Sequence, residues 1–102
     1  MDAKAIDQLL ESQRQYFLSG ATLPVEFRIA MLQRLRETVR RREPDISKAL
    51  TADLGKSGYE GYMCEIGLVL SELGYLIRHT RRFAKRRHVP TPLAQFAASS
   101  YL

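Results

Sequence analysis

The stretch Ala49–His79, ALTADLGKSGYEGYMCEIGLVLSELGYLIRH, decides the fold of this chain. It holds the end of one predicted helix, a glycine-marked turn and then the longest apolar-periodic run in the sequence. Apolar residues in that run recur at alternating spacings of four and three, which is typical of a helix seam that packs on a neighbour. The seam consists of Tyr62, Ile66, Val69, Leu73, Leu76, Thr80 and Phe83. We therefore predict a central helix over residues 58–85, with Ser57 as its N-cap and Glu60 completing a capping box.

A second face of this helix carries only small residues, namely Cys64, Gly67, Ser71 and Gly74. Glycine inside a helix costs about 1 kcal/mol relative to alanine. Two glycines on one stripe therefore predict that another element approaches the backbone closely there. Because Cys64 sits in the same stripe, we expect it to be a buried structural thiol rather than a nucleophile.

Three further helices are predicted before this one. Asp2 is a suitable N-cap and Gly20 a suitable stop for the first, while Pro24 and Pro44 fit the first turns of the second and third. Gly55 ends the third helix. The fold class is therefore all-α in this chain, with about four helices, at residues 2–19, 24–42, 44–54 and 58–85.

The last part of the chain follows a different pattern. Residues 86–102 read as a proline-bearing extended connector, followed by a possible strand within Leu93–Leu102. Nothing else within this chain offers a second strand to pair with it, and an unpaired edge is a liability. We therefore divide the chain into a helical region, 1–85, and an extended tail, 86–102, that chain beyond residue 102 would complete.

Composition limits the function classes. The chain has 102 residues, 45% hydrophobic and 26% charged, which fits one globular domain at most. It has no apolar run long enough for a membrane span, and its start is neither a signal nor a transit peptide. The single cysteine allows no internal disulfide and no thiolate zinc cluster.

The net charge is +5, and residues 78–102 contain six basic residues and no acid. A solvated helix end, or a surface for acidic groups of another chain, is the commoner meaning of such a cluster. Nucleic acid and an anionic membrane surface are the alternatives. The basic residues that would line one side of the helix pair for nucleic-acid binding are Arg34, Arg41, Arg78, Arg81, Arg82 and Lys85.

The residues predict no reaction centre. Gly55-Lys56-Ser57 lacks the upstream glycine of a phosphate-binding loop and follows a helix rather than a strand. His79 and His88 have no carboxylate at metal-ligand spacing. The acids Glu60, Glu65 and Glu72 are expected to be solvated or to form salt bridges between subunits. We predict no catalytic, no cofactor-binding and no metal-binding residue in this chain.

The central stretch also carries a family resemblance. ADLGKS at residues 52–57, followed by Tyr59, Glu60, Glu65, Ile66 and Leu70-Ser71-Glu72, resembles the N-terminal helical region of aldehyde dehydrogenases. It is most similar to the class 3 group, in the branch that acts on fatty and coniferyl aldehydes. The likeness extends back to Pro24, Phe27 and Arg28 and forward to Thr91-Pro92 and Ser99-Ser100-Tyr101, so it covers nearly the whole chain.

The resemblance implies a fragment of a larger α/β enzyme that oxidises aldehydes to carboxylic acids with NAD or NADP, through a cysteine thioester. Its reactive groups and dinucleotide fold would lie downstream, since Cys64 and the glutamates above match none of the family's catalytic motifs. The chain alone would supply packing and assembly surface and no catalysis.

By the same resemblance, the partner is the remainder of the enzyme chain, and a strand over Phe96–Tyr101 would join a sheet built by distant parts of that chain. The parent is expected to be a cytoplasmic homo-oligomer. The isolated chain is expected to self-associate and to bind no metal. The alternative is a small basic helical module that binds protein or, less favoured, nucleic acid.

Overall fold

A computed structural model describes residues 2–95 and 97–102. In these residues the helices are α1 (Ala3–Leu18), α2 (Val25–Arg41), α3 (Glu43–Leu54), α4 (Gly58–Gly61) and α5 (Gly67–Phe83). A five-residue π-helical turn, Tyr62–Ile66, joins α4 to α5, and we call the three together the composite helix. The composite helix is the predicted fourth helix, so the all-α class and its four helical stretches are confirmed within the described residues.

The predicted helix ends agree with the backbone conformation. The Asp2 carboxylate accepts a hydrogen bond from the Ala5 amide at 2.7 Å, and the Ser57 hydroxyl accepts one from the Glu60 amide at 3.2 Å. Gly20 and Gly55 have φ of 79° and 67°, the left-handed conformation that ends helices and favours glycine. Pro24 is the N-cap of α2, one position before the first turn predicted for it.

The core lies between α2 and the composite helix. Ile29, Ile66 and Leu73 are the large apolar side chains buried in the described part of the chain. The helices are antiparallel, since Glu26 near the start of α2 binds Arg81 near the end of α5. Ile66 and Leu73 confirm the centre of the predicted seam. Val69 between them is 48% exposed, and the ends of the seam, Tyr62 and Phe83, are 43% and 53% exposed.

The small-residue face does not receive another element. A Cβ added at Gly67 would lie 2.7 Å from the carbonyl oxygen of Tyr62, which belongs to the same helix. At Gly74 it would meet only the Arg78 guanidinium, at 3.4 Å. The expected close approach is therefore not made by any described element, and an approach by protein outside this chain stays a prediction. Cys64 is exposed, so the predicted burial of its thiol is also wrong, because no described element covers that face.

The tail pairs with itself. Strand β1 (His88–Val89) is antiparallel to β2 (Ser100–Tyr101), with His88 opposite Tyr101 and Val89 opposite Ser100. Arg87 and Leu102 extend the ladder through two backbone hydrogen bonds of 2.9 and 2.8 Å. The expectation that this strand has no partner in the chain is thus wrong.

Local turns explain the pairing. The backbone amide of Gln95 donates a hydrogen bond to the Pro92 carbonyl, and the backbone amide of Ala98 donates one to the Gln95 carbonyl. A 3₁₀ turn at Leu93–Gln95 reverses the chain. The strand that the resemblance placed over Phe96–Tyr101 is shorter, Ser100–Tyr101. Phe96 itself lies outside the described residues.

The arrangement is elongated. Its radius of gyration is 20.3 Å, whereas a compact domain of this length has about 13 Å. It exposes 8487 Å², roughly 2,600 Å² more than the ~5,900 Å² of a folded monomer of this mass. Helix α1 contributes strongly, because none of its residues is buried. The described chain therefore presents apolar surface that it does not cover itself.

Leucine truncations test this location of the core. Leu73→Ala is expected to lower the free energy of unfolding by about 2–4 kcal/mol, because it leaves a cavity between α2 and α5. Leu9→Ala, on the exposed stripe of α1, is expected to change it by no more than about 0.5 kcal/mol. Urea unfolding followed by far-UV circular dichroism measures both. Equal losses would show that α1 packs as tightly as α5 and would contradict this description.

Candidate functional site

The glycine-marked turn holds its lysine in an ion pair. Lys56 Nζ donates a hydrogen bond to Glu65 Oε1 at 2.5 Å, and this bond raises the pKa of Lys56. Thr51 Oγ1 donates to the Lys56 carbonyl at 2.7 Å, which ties the turn to α3. The ammonium group is thus committed to a carboxylate of the composite helix. This supports the interpretation of Gly55-Lys56-Ser57 as a structural turn and not a phosphate loop.

Both histidines lie against aromatic rings. The His79 ring stacks on Tyr75 at a centroid distance of 4.2 Å and on Phe83 at 5.9 Å. Its Nδ1 lies 2.8 Å from the Tyr75 carbonyl oxygen. His88 meets the Tyr101 ring edge-on at 5.4 Å. Across residues 2–95 and 97–102, no three histidine, cysteine or acidic side chains are grouped as metal ligands.

One ion pair joins the two main helices. Both Nη atoms of Arg81 donate to the Glu26 carboxylate, the Nη2–Oε2 bond measuring 2.8 Å. The hydrogen bond from Arg81 lowers the pKa of Glu26, and the carboxylate in turn raises the pKa of Arg81. Both side chains are more than half exposed, so the pair fixes orientation more than it stabilises.

The basic residues lie at both ends of the helix pair. Because α2 and α5 are antiparallel, Arg41 lies at the end of the pair opposite to Arg81 and Lys85. Arg82, Lys85, Arg86 and Arg87 instead line a concave surface where α5 meets the strand pair. Arg34 and Arg41 line a separate shallow surface on α2. Arg81 is paired with Glu26, and nucleic-acid binding by the remaining basic residues stays a prediction.

The described chain has an extensive exposed apolar surface. On α1, Ile6, Leu9, Leu10, Tyr16 and Phe17 are each at least half exposed. On the composite helix, Met63, Leu68 and Phe83 are exposed to a similar degree. A groove between α2, α3 and the composite helix is lined by Val39, Ile46, Leu50, Ile66 and Val69, with Glu65 at its edge. Exposed apolar surface of this extent is uncommon on monomeric soluble proteins.

A dinucleotide does not fit the described residues. Binding such a cofactor takes a parallel strand, a glycine-rich turn and a helix whose N-terminus receives the pyrophosphate. The described strands are two residues each and antiparallel, and they follow the helices in the chain. In the same residues, none of the helices combines the length and apolarity needed to cross a membrane.

Comparison with known proteins finds aldehyde dehydrogenases that are similar to this chain. No protein-family model matches the chain. It is 37% identical to the dog aldehyde dehydrogenase described as dimeric and NADP-preferring. The alignment has 91 residues, which is 88% of this chain. The chain is 32% identical over 97 residues, or 95% of its length, to the 4,4'-diaponeurosporen-aldehyde dehydrogenase of Staphylococcus aureus. It is equally similar to aldehyde dehydrogenase family 3 member A2 of Macaca fascicularis.

By sequence, about nine tenths of the chain is similar to aldehyde dehydrogenases, among them members of family 3. The chain spans about one fifth of the length of the curated relatives that it matches. The resemblance stated from ADLGKS and the residues after it is thereby confirmed. The chain exposes many large apolar side chains, and it corresponds to only about one fifth of each relative. The two observations agree with each other.

Sequence reasoning missed three features of this aldehyde dehydrogenase segment. The Glu26–Arg81 pair joins residues far apart in sequence, so no periodicity reports it. The Lys56–Glu65 pair spans a turn whose geometry the sequence does not determine. The π turn adds one residue to a helical period, although Gly67 at its end is a signal that could have indicated it.

The Glu26–Arg81 pair predicts a pH effect. Because the folded pKa of Glu26 is lowered, the pair contributes stability above the ordinary glutamate pKa of 4.5 and loses it as the pH falls through the folded value. Arg81→Gln is expected to raise the titration midpoint of the Glu26 carboxyl in carbon-detected NMR. Arg82→Gln, one residue away, is the control and should leave it in place. An unchanged midpoint in Arg81→Gln would contradict the pair.

Proposed function

We propose that this chain is the N-terminal packing segment of an NAD(P)-dependent aldehyde dehydrogenase, and that the parent oxidises aldehydes to carboxylic acids in the cytoplasm as a homo-oligomer. The chain itself supplies surface for the rest of the enzyme and for assembly, and holds no catalytic residue. The observation that carries the proposal is the similarity of about nine tenths of the chain to about one fifth of the length of curated aldehyde dehydrogenases.

The surface of the described chain supports this role. The excess exposure of roughly 2,600 Å² is larger than the ~1,200–2,000 Å² that a standard protein–protein interface buries in total. The uncovered residues are also of the apolar kind that domain interiors bury, as at Leu9, Phe17 and Met63. Covering such surface with the remainder of an enzyme would remove the main energetic defect of the isolated chain.

The chemistry of the described residues supports the proposal that this chain holds no catalytic residue. Lys56 is paired with Glu65, His79 lies within an aromatic stack, and exposed Cys64 has no described histidine beside it in a hydrogen bond. A nucleophile needs a base within hydrogen-bond reach and a donor set for the oxyanion. We therefore place the thioester chemistry of the parent in parts of the enzyme that this chain does not contain.

A chimera tests the proposed role. The aligned fifth of the Staphylococcus aureus relative is replaced by this chain, and aldehyde-dependent formation of NADH or NADPH is measured. We expect the chimera to fold and to retain activity, because the replaced helices would present equivalent packing faces. A relative that simply lacks the segment is the control and should be inactive. An inactive chimera beside an active deletion would contradict a packing role.

Self-association of the isolated chain is the second expectation. Sedimentation velocity should show a concentration-dependent rise in mass in the micromolar range, because exposed apolar faces pair with copies of themselves. Leu10→Glu, within the apolar stripe of α1, should reduce it. Gln8→Glu makes the same charge change outside that stripe and should not. A monomer at all concentrations would contradict this expectation.

A further inference from the structure

We propose that the π turn Tyr62–Ile66 is a register shift that lets the composite helix pack on α3 and on α2 with the same face. Its amino-terminal part, α4, contacts α3, where Gly61 lies against the Leu50 side chain. Its carboxyl-terminal part packs on α2 through Ile66 and Leu73. Gly61, Ile66 and Leu73 are the buried residues of the composite helix within the described chain.

The helical period alone would not align these three residues. An α-helix turns about 100° per residue, so positions 66 and 73 point within about 20° of each other. Gly61, five residues before Ile66, would point about 140° away from it in an uninterrupted α-helix. The π turn takes one extra residue per turn and removes about 100° of that difference. Gly61 therefore comes to within about 40° of Ile66.

Glycine at position 67 makes the turn possible. The Gly67 amide donates to the Tyr62 carbonyl, the hydrogen bond that defines the π turn. A Cβ at this position would lie 2.7 Å from that carbonyl oxygen and 3.3 Å from the Tyr62 ring, so an alanine has no room unless the backbone moves. Gly74 in the same helix has no such contact, since only the flexible end of Arg78 lies near it.

The π turn also positions Glu65, which binds Lys56. Glu65 sits within the π turn and receives the Lys56 ammonium, which connects the composite helix to the end of α3. On the opposite side the same turn leaves Met63 and Cys64 exposed. A one-residue change of register would turn α4 by about 100° and separate Gly61 from Leu50. The turn thus sets how α3 is attached to the α2–α5 pair.

The two glycines give a matched test in the full 102-residue chain. We expect Gly67→Ala to lose the nuclear Overhauser effect between the Leu50 methyls and the Gly61 α-protons, while methyl contacts between α2 and α5 persist. Gly74→Ala should keep both sets, since alanine is tolerated there and favours the helix. Retention of the Leu50–Gly61 effect in Gly67→Ala, or its loss in Gly74→Ala, would overturn the proposal.

Deletion of Cys64 provides a second, independent test. Removing one residue leaves Gly61 four positions before Ile66, and a regular α-helix then places the two about 40° apart, as the π turn does in the unchanged chain. We expect the deletion to replace the π turn with α-helix and to retain the Leu50–Gly61 effect and the α2–α5 contacts. Combined with Gly67→Ala, the deletion should restore the Leu50–Gly61 effect that the substitution alone removes. Loss of that effect in the deletion variant, or no restoration in the combined variant, would overturn the register shift.

Discussion

The antiparallel packing of α2 on the composite helix, centred on Ile29, Ile66 and Leu73, is the contact on which the rest of the described chain depends. Helix α3 is attached through Leu50 against Gly61 and through the Lys56–Glu65 pair. The Glu26–Arg81 pair holds the far end, where both side chains are mostly exposed and contribute little energy. Helix α1 and the strand pair extend from this centre without burying a large side chain among the described residues. The described chain therefore has a small buried core and many exposed apolar side chains around it.

The local structure was predictable from sequence because its causes are local. Asp2, Ser57, Gly20 and Gly55 mark helix ends through their own backbone and side-chain chemistry, and the structure has them in those roles. Ile66 and Leu73 were predicted from their spacing, which reports the buried face of a helix directly. The margins of the seam were not, because burial of Tyr62 or Phe83 depends on neighbours that periodicity does not reveal.

The remaining differences have the same physical origin. Cys64 and Gly74 have the composition of a close packing face, yet no described element covers them. Pairing of Ser100–Tyr101 with His88–Val89 depends on how residues 92–98 turn back, and a proline-bearing stretch does not determine that from its letters alone. For the candidate site, the sequence predicted that Lys56 serves a structural turn but not that its partner is Glu65. The family resemblance gave information that neither periodicity nor turn chemistry gives. ADLGKS and the residues after it resemble aldehyde dehydrogenases, although they include none of the residues proposed to carry out catalysis.

The central claim is that this chain is an unfinished packing surface rather than a self-contained domain. Small-angle X-ray scattering, extrapolated to infinite dilution to remove association, measures it most directly. The account predicts a radius of gyration near the 20.3 Å of the elongated arrangement. A value near the ~13 Å of a compact domain of this length would contradict it, since α1 and the composite helix would then have covered their apolar faces without any other chain.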